Sequence, residues 1–258
     1  MRIGRYPYLN SIPFFWRNAL WPGELVSCTP RVMGLLAARG ELDAGPLAIV
    51  DLLRLEDQFE PLPYGIVAPQ AAQSVLLFSQ LPIEQLQGTV IGISEETSTS
   101  VRLLQVLLEV RYKVRPASYL RGGKGEAVLV IGDEALRKRR NPEGLLVYDL
   151  GREWYEWMGL PFVFARWAIR RSLPAEAKRQ IVWTLEESME ECFASLPSVC
   201  SRHAPEWLSP KELEDYLRGF SYWIGDKEEQ AISLFRSYLQ EKGEAPALTS
   251  PAAPGFPS

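Results

Sequence analysis

The chain predicts an α/β fold of two lobes followed by a helical C-terminal part, and three observations carry that expectation. Short apolar runs alternate with segments of helical periodicity up to Trp167, the pattern of a parallel sheet flanked by helices. The alternation falls into two sections, parted by a stretch that Pro82 and Gly88 punctuate. Beyond Trp167 only long helical patterns remain. With 258 residues and 47% hydrophobic content, the chain has material for one large core or two small ones.

The first strand starts at Arg2 and runs into Tyr6-Pro-Tyr-Leu-Asn-Ser-Ile-Pro13, a proline-bounded turn carrying Asn10 and Ser11. Pro13 suits a first helical turn, so a helix is expected over 14–20. Residues 24–29 read as a short strand, and Pro30 opens a helix that places Val32, Leu35 and Leu36 at helical spacing before Gly40 caps it. A third strand is expected over 42–46 and a helix over 47–53. Residues 73–79 form a continuous apolar run closed by hydroxyls, suited to a buried strand. Residues 89–94 and 98–111 form a strand and an amphipathic helix, with Val101, Leu104 and Leu108 at helical spacing.

Gly122-Gly-Lys-Gly125 makes a surface loop before a strand at 127–131, and 145–149 and 162–167 complete the strands. Helices are expected over 175–193, 210–218 and 227–242, packing back onto the first lobe. The lobes are accordingly drawn as 1–80 plus 166–243 and 81–165, hinged near 79–86 and 162–167. Residues 244–258 are rich in Pro, Ala and Ser without periodicity and are expected to be a disordered tail.

Composition removes several classes of function. A net charge of −4 and a pI near 5.3 leave no electrostatic footprint for nucleic acid, and Arg137-Lys-Arg-Arg140 reads as a solvated helix end. No run reaches the roughly 18 apolar residues of a membrane helix, so no membrane partner is expected. Met1 leads straight into strand-like sequence with no secretory pattern, which predicts a cytoplasmic protein. Cys28, Cys192 and Cys200 show no Cys-x-x-Cys spacing, which argues against a disulfide framework or a zinc site. Nucleotide-binding glycine loops, a Gly-x-Ser-x-Gly elbow and His-Glu-x-x-His are all missing, and no cofactor or metal is expected. His203, the single histidine, falls in the helical region and reads as a surface or helix-end residue.

Three places could carry chemistry. The opening turn sits off a strand end, where ligands of open α/β sheets bind, although Asn10 and Ser11 would serve equally as helix caps. Thr97, Ser98, Thr99 and Ser100 are four consecutive hydroxyls between a strand and a helix. Capping needs only one of them, and hydroxyls beside unpaired helical N–H groups suit a carboxylate, with Glu95 and Glu96 counting against it. Ser74 and Asp133 also stand at strand ends, and Asp133 reads equally as a turn cap. Trp154, Trp157, Tyr216, Phe220, Tyr222 and Trp223 read as packing.

Six stretches in this order resemble the chorismate dehydratase family of the futalosine route to menaquinone: Tyr8-Leu-Asn-Ser-Ile-Pro13, Ser74-Val-Leu-Leu-Phe-Ser79, Thr99-Ser-Val-Arg-Leu103, Ile131-Gly-Asp-Glu-Ala-Leu136, Asp149-Leu-Gly-Arg-Glu-Trp154 and Gly159-Leu-Pro-Phe-Val-Phe164. The resemblance implies a two-lobed, periplasmic binding protein type II-like fold, with additional C-terminal helices here. It implies removal of water from chorismate, a small dicarboxylate, to give 3-[(1-carboxyvinyl)oxy]benzoate. It places Asn10 and Ser74 in the cleft as catalytic residues, with Ser11, Thr97, Ser98, Thr99, Ser100 and Asp133 as substrate-binding candidates. With no histidine base in reach, the enolpyruvyl carboxylate of the substrate is expected to take the ring proton.

The chain departs from the family pattern at Ala48-Ile49, where a Ser-Ser pair is usual, and at Met158 and Arg166, where smaller residues are more common. Two other readings remain open: a non-enzymatic binding protein for a small carboxylate, and an enzyme of the same fold acting on a naphthoate precursor.

Overall fold

The computed structural model describes residues 1–241, and the expected tail at 244–258 lies outside them. Strand β1 (Arg2–Arg5) leads through a 3-10 turn (Leu9–Ser11) into α1 (Ile12–Phe15), followed by β2 (Glu24–Ser27), α2 (Pro30–Ala38), β3 (Ala44–Ala48), α3 (Ile49–Arg54) and β4 (Phe59–Ala68). The next section holds β5 (Val75–Ser79), β6 (Val90–Ile93), α4 (Thr99–Val106) with a π-helical continuation, β7 (Ser118–Arg121), β8 (Ala127–Ile131), α5 (Gly132–Lys138), β9 (Leu146–Asp149) and α6 (Leu150–Met158). The last holds β10 (Phe162–Arg170), α7 (Ala175–Ala194), α8 (Leu196–His203), α9 (Pro210–Arg218), β11 (Ser221–Trp223) and α10 (Asp226–Glu241).

Two sheets result, one ordered β11-β4-β10-β3-β1-β2 and the other β7-β6-β8-β5-β9. Strand–helix units produce the parallel pairs, such as Ile3 opposite Leu25 and Ile91 opposite Tyr119. The sheets are nevertheless mixed. β10 enters the first sheet antiparallel to β3 and β4, and β5 enters the second antiparallel to β8 and β9. Each of these strands follows a crossing from the other sheet rather than a local strand–helix return, so it meets its neighbours head to tail. An all-parallel sheet is the expectation this corrects.

The crossings also move the lobe boundary. β5, which a division at residue 80 leaves in the first lobe, belongs wholly to the second sheet, so the outward crossing is at 69–74 rather than 79–86. The return runs between α6 and β10. Leu47 and Ala48 extend β3 instead of starting the helix, because β10 pairs with them through Arg166 and Ala165.

Each sheet is buried by the apolar faces that the periodicity marked. In the first, Trp167 of β10 stacks on Trp21 at 5.2 Å and meets the Phe14 ring edge-on at 5.7 Å. α10 closes the other side, where Phe235 packs against Phe162 and Trp154. Trp154 and Trp157 are packing residues, the latter stacked on Tyr238. His203 ends α8 with its ring edge-on to Trp16. Among the described residues no helix is long and apolar enough to cross a membrane.

Candidate functional site

A cleft of about 510 Å³, counting its open mouth, lies where the two sheets face each other. Its wall takes Asn10 from the opening turn, Ser74 from the outward crossing, and Ser98, Thr99 and Ser100 from the start of α4. Tyr6, Tyr8, Phe164 and Phe220 supply aromatic surface, and Ala48 also lines the cleft. None of the lining residues is a lysine, arginine, histidine, aspartate or glutamate.

The opening turn is built by Ser11 and fastened from the opposite lobe. The buried Ser11 hydroxyl shares its proton between the carbonyls of Tyr6 and Tyr8 at 2.8 and 2.7 Å, which shapes the turn and commits that proton to it. Ser11 is therefore a turn-former and not a cleft residue. The Leu9 N–H donates to Asp133 Oδ1 at 3.0 Å, and the Tyr8 hydroxyl donates to Glu96 Oε2 at 2.7 Å. Gly132 stands at φ +66°, and a Cβ there would meet the Tyr8 ring at 2.7 Å, so only glycine lets the ring settle against this strand end. Asn10 projects from the turn so fastened, with its buried Oδ1 lacking a partner. A buried unpaired acceptor is costly unless a ligand supplies the donor.

Asp133 is thus placed outside the cleft wall, engaged with backbone. Burial pushes its carboxyl up to about 6, opposed by the Leu9 bond and reinforced by the nearby Glu96 charge.

The hydroxyl run divides its labour. None of its side chains caps α4. The Ser98 hydroxyl reaches the other lobe and donates to Asp51 Oδ2 at 2.6 Å, while Thr99 Oγ1 accepts the Val50 N–H at 3.3 Å. Val50 lies in the first turn of α3, whose own cap position is Ala48 and offers no side-chain oxygen. Thr99 therefore caps α3 from across the cleft, replacing what a serine at 48 would do locally. Thr97 is fully buried, with an unpartnered hydroxyl and a carbonyl that accepts from Arg121, and does not line the cleft. Ser98 and Thr99 still line the cleft, and Ser100 joins them on the wall beside the first-turn N–H groups of α4, which no side chain caps.

Ser74 comes last before β5, on the crossing that Asp149 clasps. One Asp149 carboxylate accepts from Ala72 N at 2.9 Å and Gln73 N at 2.7 Å on the outward crossing, and from Gly151 N and Arg152 N at the start of α6. Ser74 Oγ lies 2.7 Å from the Tyr216 hydroxyl and 3.3 Å from the Ala72 carbonyl. Tyr216, read from the sequence as packing, is buried like a core residue yet touches a cleft side chain.

Comparison with known proteins decides the family. The family described as "Menaquinone biosynthesis" matches residues 1–241. The chain belongs to that family. A chorismate dehydratase of Thermus thermophilus is 26% identical over 276 residues, covering 98% of this chain and 97% of the relative. Among solved structures, protein AF1704 from Archaeoglobus fulgidus superimposes with a TM-score of 0.76 at 17% identity, over 94% of this chain and 97% of that one. The periplasmic aliphatic sulphonate binding protein SsuA from Escherichia coli gives 0.63 at 13% identity, over 100% and 94%. The fold is the two-lobed periplasmic binding protein-like one, and the cleft of this family member lies between the lobes as its crossings require.

Asn10, Ser74 and the helix start at 98–100 are brought together on one wall, whereas Ser11, Thr97 and Asp133 support it from behind. Glu96, Asp149 and Tyr216 carry no site signal in the sequence. Asp149 opens a stretch that resembles the family, while nothing in a single sequence pairs Tyr216 with a serine 142 residues away.

Proposed function

We propose that the chain is a chorismate dehydratase that eliminates water from chorismate to give 3-[(1-carboxyvinyl)oxy]benzoate, a hydro-lyase working in the cytoplasm on the menaquinone route. The observation that carries the mechanism is the chemistry of the cleft wall: hydroxyls, an amide and aromatic rings, without an acidic or basic side chain among its lining residues. The two phenols on the wall are no substitute. Burial raises Tyr6 and Tyr8 far above the usual tyrosine range, Tyr8 with help from its bond to Glu96.

The base then comes from the substrate. Its enolpyruvyl carboxylate takes the ring proton, the C–H electrons become the new ring double bond as the C–O bond to the neighbouring hydroxyl breaks, and the carboxylic acid so formed passes the proton to the departing hydroxide, giving water. The wall supplies orientation and charge stabilisation. Ser74, Ser100 and the first-turn N–H groups of α4 hold the ring carboxylate, and helix N-termini favour such anions. Asn10 Oδ1 accepts from the substrate's ring hydroxyl, which gives its buried lone pairs their partner and fixes the orientation of the group that leaves.

Incubating the purified protein with chorismate and resolving products by chromatography tests this reading. Consumption of chorismate with growth of one aromatic product is expected. Saturable binding without turnover would instead assign a binding protein for small carboxylates.

A further inference from the structure

We propose that Tyr216 is a positioning residue that makes Ser74 a dedicated hydrogen-bond donor toward a carboxylate in the cleft; this rests on the reading of Ser74 as a carboxylate-binding residue. The argument is a proton count over three groups. Ser74 Oγ has Tyr216 Oη at 2.7 Å and the Ala72 carbonyl at 3.3 Å. A carbonyl only accepts, so the serine proton is the one that serves Ala72. Among the described residues Ser74 is also the one hydrogen-bond partner of the Tyr216 hydroxyl. If Ser74 donated to Tyr216, the phenol proton would have no acceptor although the group is buried, a costly state. The arrangement that satisfies both protons runs from Tyr216 to Ser74 to the Ala72 carbonyl.

The last of those bonds is the long one. A carboxylate oxygen entering the cleft that Ser74 lines offers its proton a stronger, charge-assisted acceptor, and the proton turns from Ala72 to the ligand. Donation from the phenol polarises Ser74 and strengthens that new bond. Burial keeps the phenol protonated by raising it well above the usual tyrosine range, so the direction of donation does not change with pH in the working range.

The surroundings hold both partners in place. α9, which carries Tyr216, begins with a capping box between Ser209 and Glu212, and Glu212 pairs with Arg140 of the opposite lobe at 2.6 Å. At its end Gly219 lacks the Cβ that would collide with the Gln73 side chain, which seats the helix directly against the crossing. Gln73 is in turn fixed by Asp149. Phe220, edge-on to the Tyr216 ring at 5.2 Å, continues into the cleft wall.

The test is a double-mutant cycle with Tyr216→Phe, Ser74→Ala and both together, reading chorismate turnover and, by calorimetry, the chorismate dissociation constant. Phe keeps the ring and its packing, and thermal melting monitors the fold. Tyr216→Phe is expected to lower kcat/KM and weaken binding by roughly tenfold in the presence of Ser74, and to add little once Ser74 is alanine. An equal loss in both backgrounds would overturn the proposal, since it would mean Tyr216 acts through general packing, and so would no loss in either. A wild type that binds chorismate but never turns it over overturns the dehydratase reading while the binding cycle still decides the role of Tyr216. A wild type that does not bind chorismate overturns both.

Discussion

Asp133 Oδ1 accepts the backbone N–H of Leu9 at 3.0 Å, so a carboxylate of the second lobe holds the turn of the first lobe that presents Asn10. The Tyr8 hydroxyl adds its bond to Glu96, and the Arg31 N–H reaches the Glu96 carbonyl at 3.1 Å. The turn that carries Asn10 is thus shaped by Ser11 within its own lobe and fastened by Asp133 and Glu96 from the other.

The buried Asp133 makes stability depend on pH in a definite direction. Its carboxyl titrates at about 6 in the fold against an ordinary 3.8, so between about pH 4 and about pH 6 the folded chain retains a proton that the unfolded chain has lost. This contribution is present at low pH and is lost as pH rises through that window. Urea denaturation at stepped pH should therefore show the wild type losing stability relative to Asp133→Asn across it, and parallel curves would refute the assignment.

Thr99 is expected to matter for the integrity of α3 as well as for the cleft. Thr99→Val keeps the shape but leaves the Val50 N–H without its acceptor, a loss of about 1–2 kcal/mol. Adding Ala48→Ser, which gives α3 a cap position of its own, should recover part of it. Chemical denaturation of the two proteins measures the difference, and an unchanged midpoint for Thr99→Val would dismiss the cap in trans.

Asp149 joins the outward crossing to the first turn of α6, so Asp149→Ala frees four N–H groups at once and should cost about 2–4 kcal/mol. Asp149→Ser keeps an oxygen for the first turn of α6 but does not reach Ala72 and Gln73. Its stability should lie between the wild type and the alanine variant, while its chorismate affinity stays as low as that of alanine, because Ser74 follows the released segment. Denaturation and calorimetry on the same samples separate the two effects.

What the sequence makes legible follows from what periodicity measures. The apolar runs at 75–79 and 90–93 announce buried strands because burial on both faces leaves no polar alternation. They say nothing of which sheet a strand joins, so the periodicity of β5 does not reveal that it belongs to the second sheet. The exposed edge strand β7 and the three-residue β11 carry too little burial to leave a pattern. In the site, Asn10 and Ser74 stand out because a strand end followed by small polar groups is unusual chemistry for a core. The run at 97–100 stands out for the same reason, but whether each hydroxyl serves a ligand or the opposite lobe depends on Asp51 and Val50, far away in the chain. Tyr216 is hidden by good camouflage: with Leu213 and Leu217 it completes an ordinary apolar helix face.

The central claim is that the substrate, not the protein, provides the base, and the comparison of Asn10→Ala with Asp133→Asn tests it most directly. Asn at 133 keeps an oxygen for the Leu9 N–H but cannot take up a proton at working pH. Steady-state rates of chorismate consumption should fall by about 10² for Asn10→Ala, as for loss of a group that orients the reacting hydroxyl, and by less than tenfold for Asp133→Asn. A loss at Asp133→Asn far exceeding that at Asn10→Ala would make the protein carboxylate the base and contradict the account.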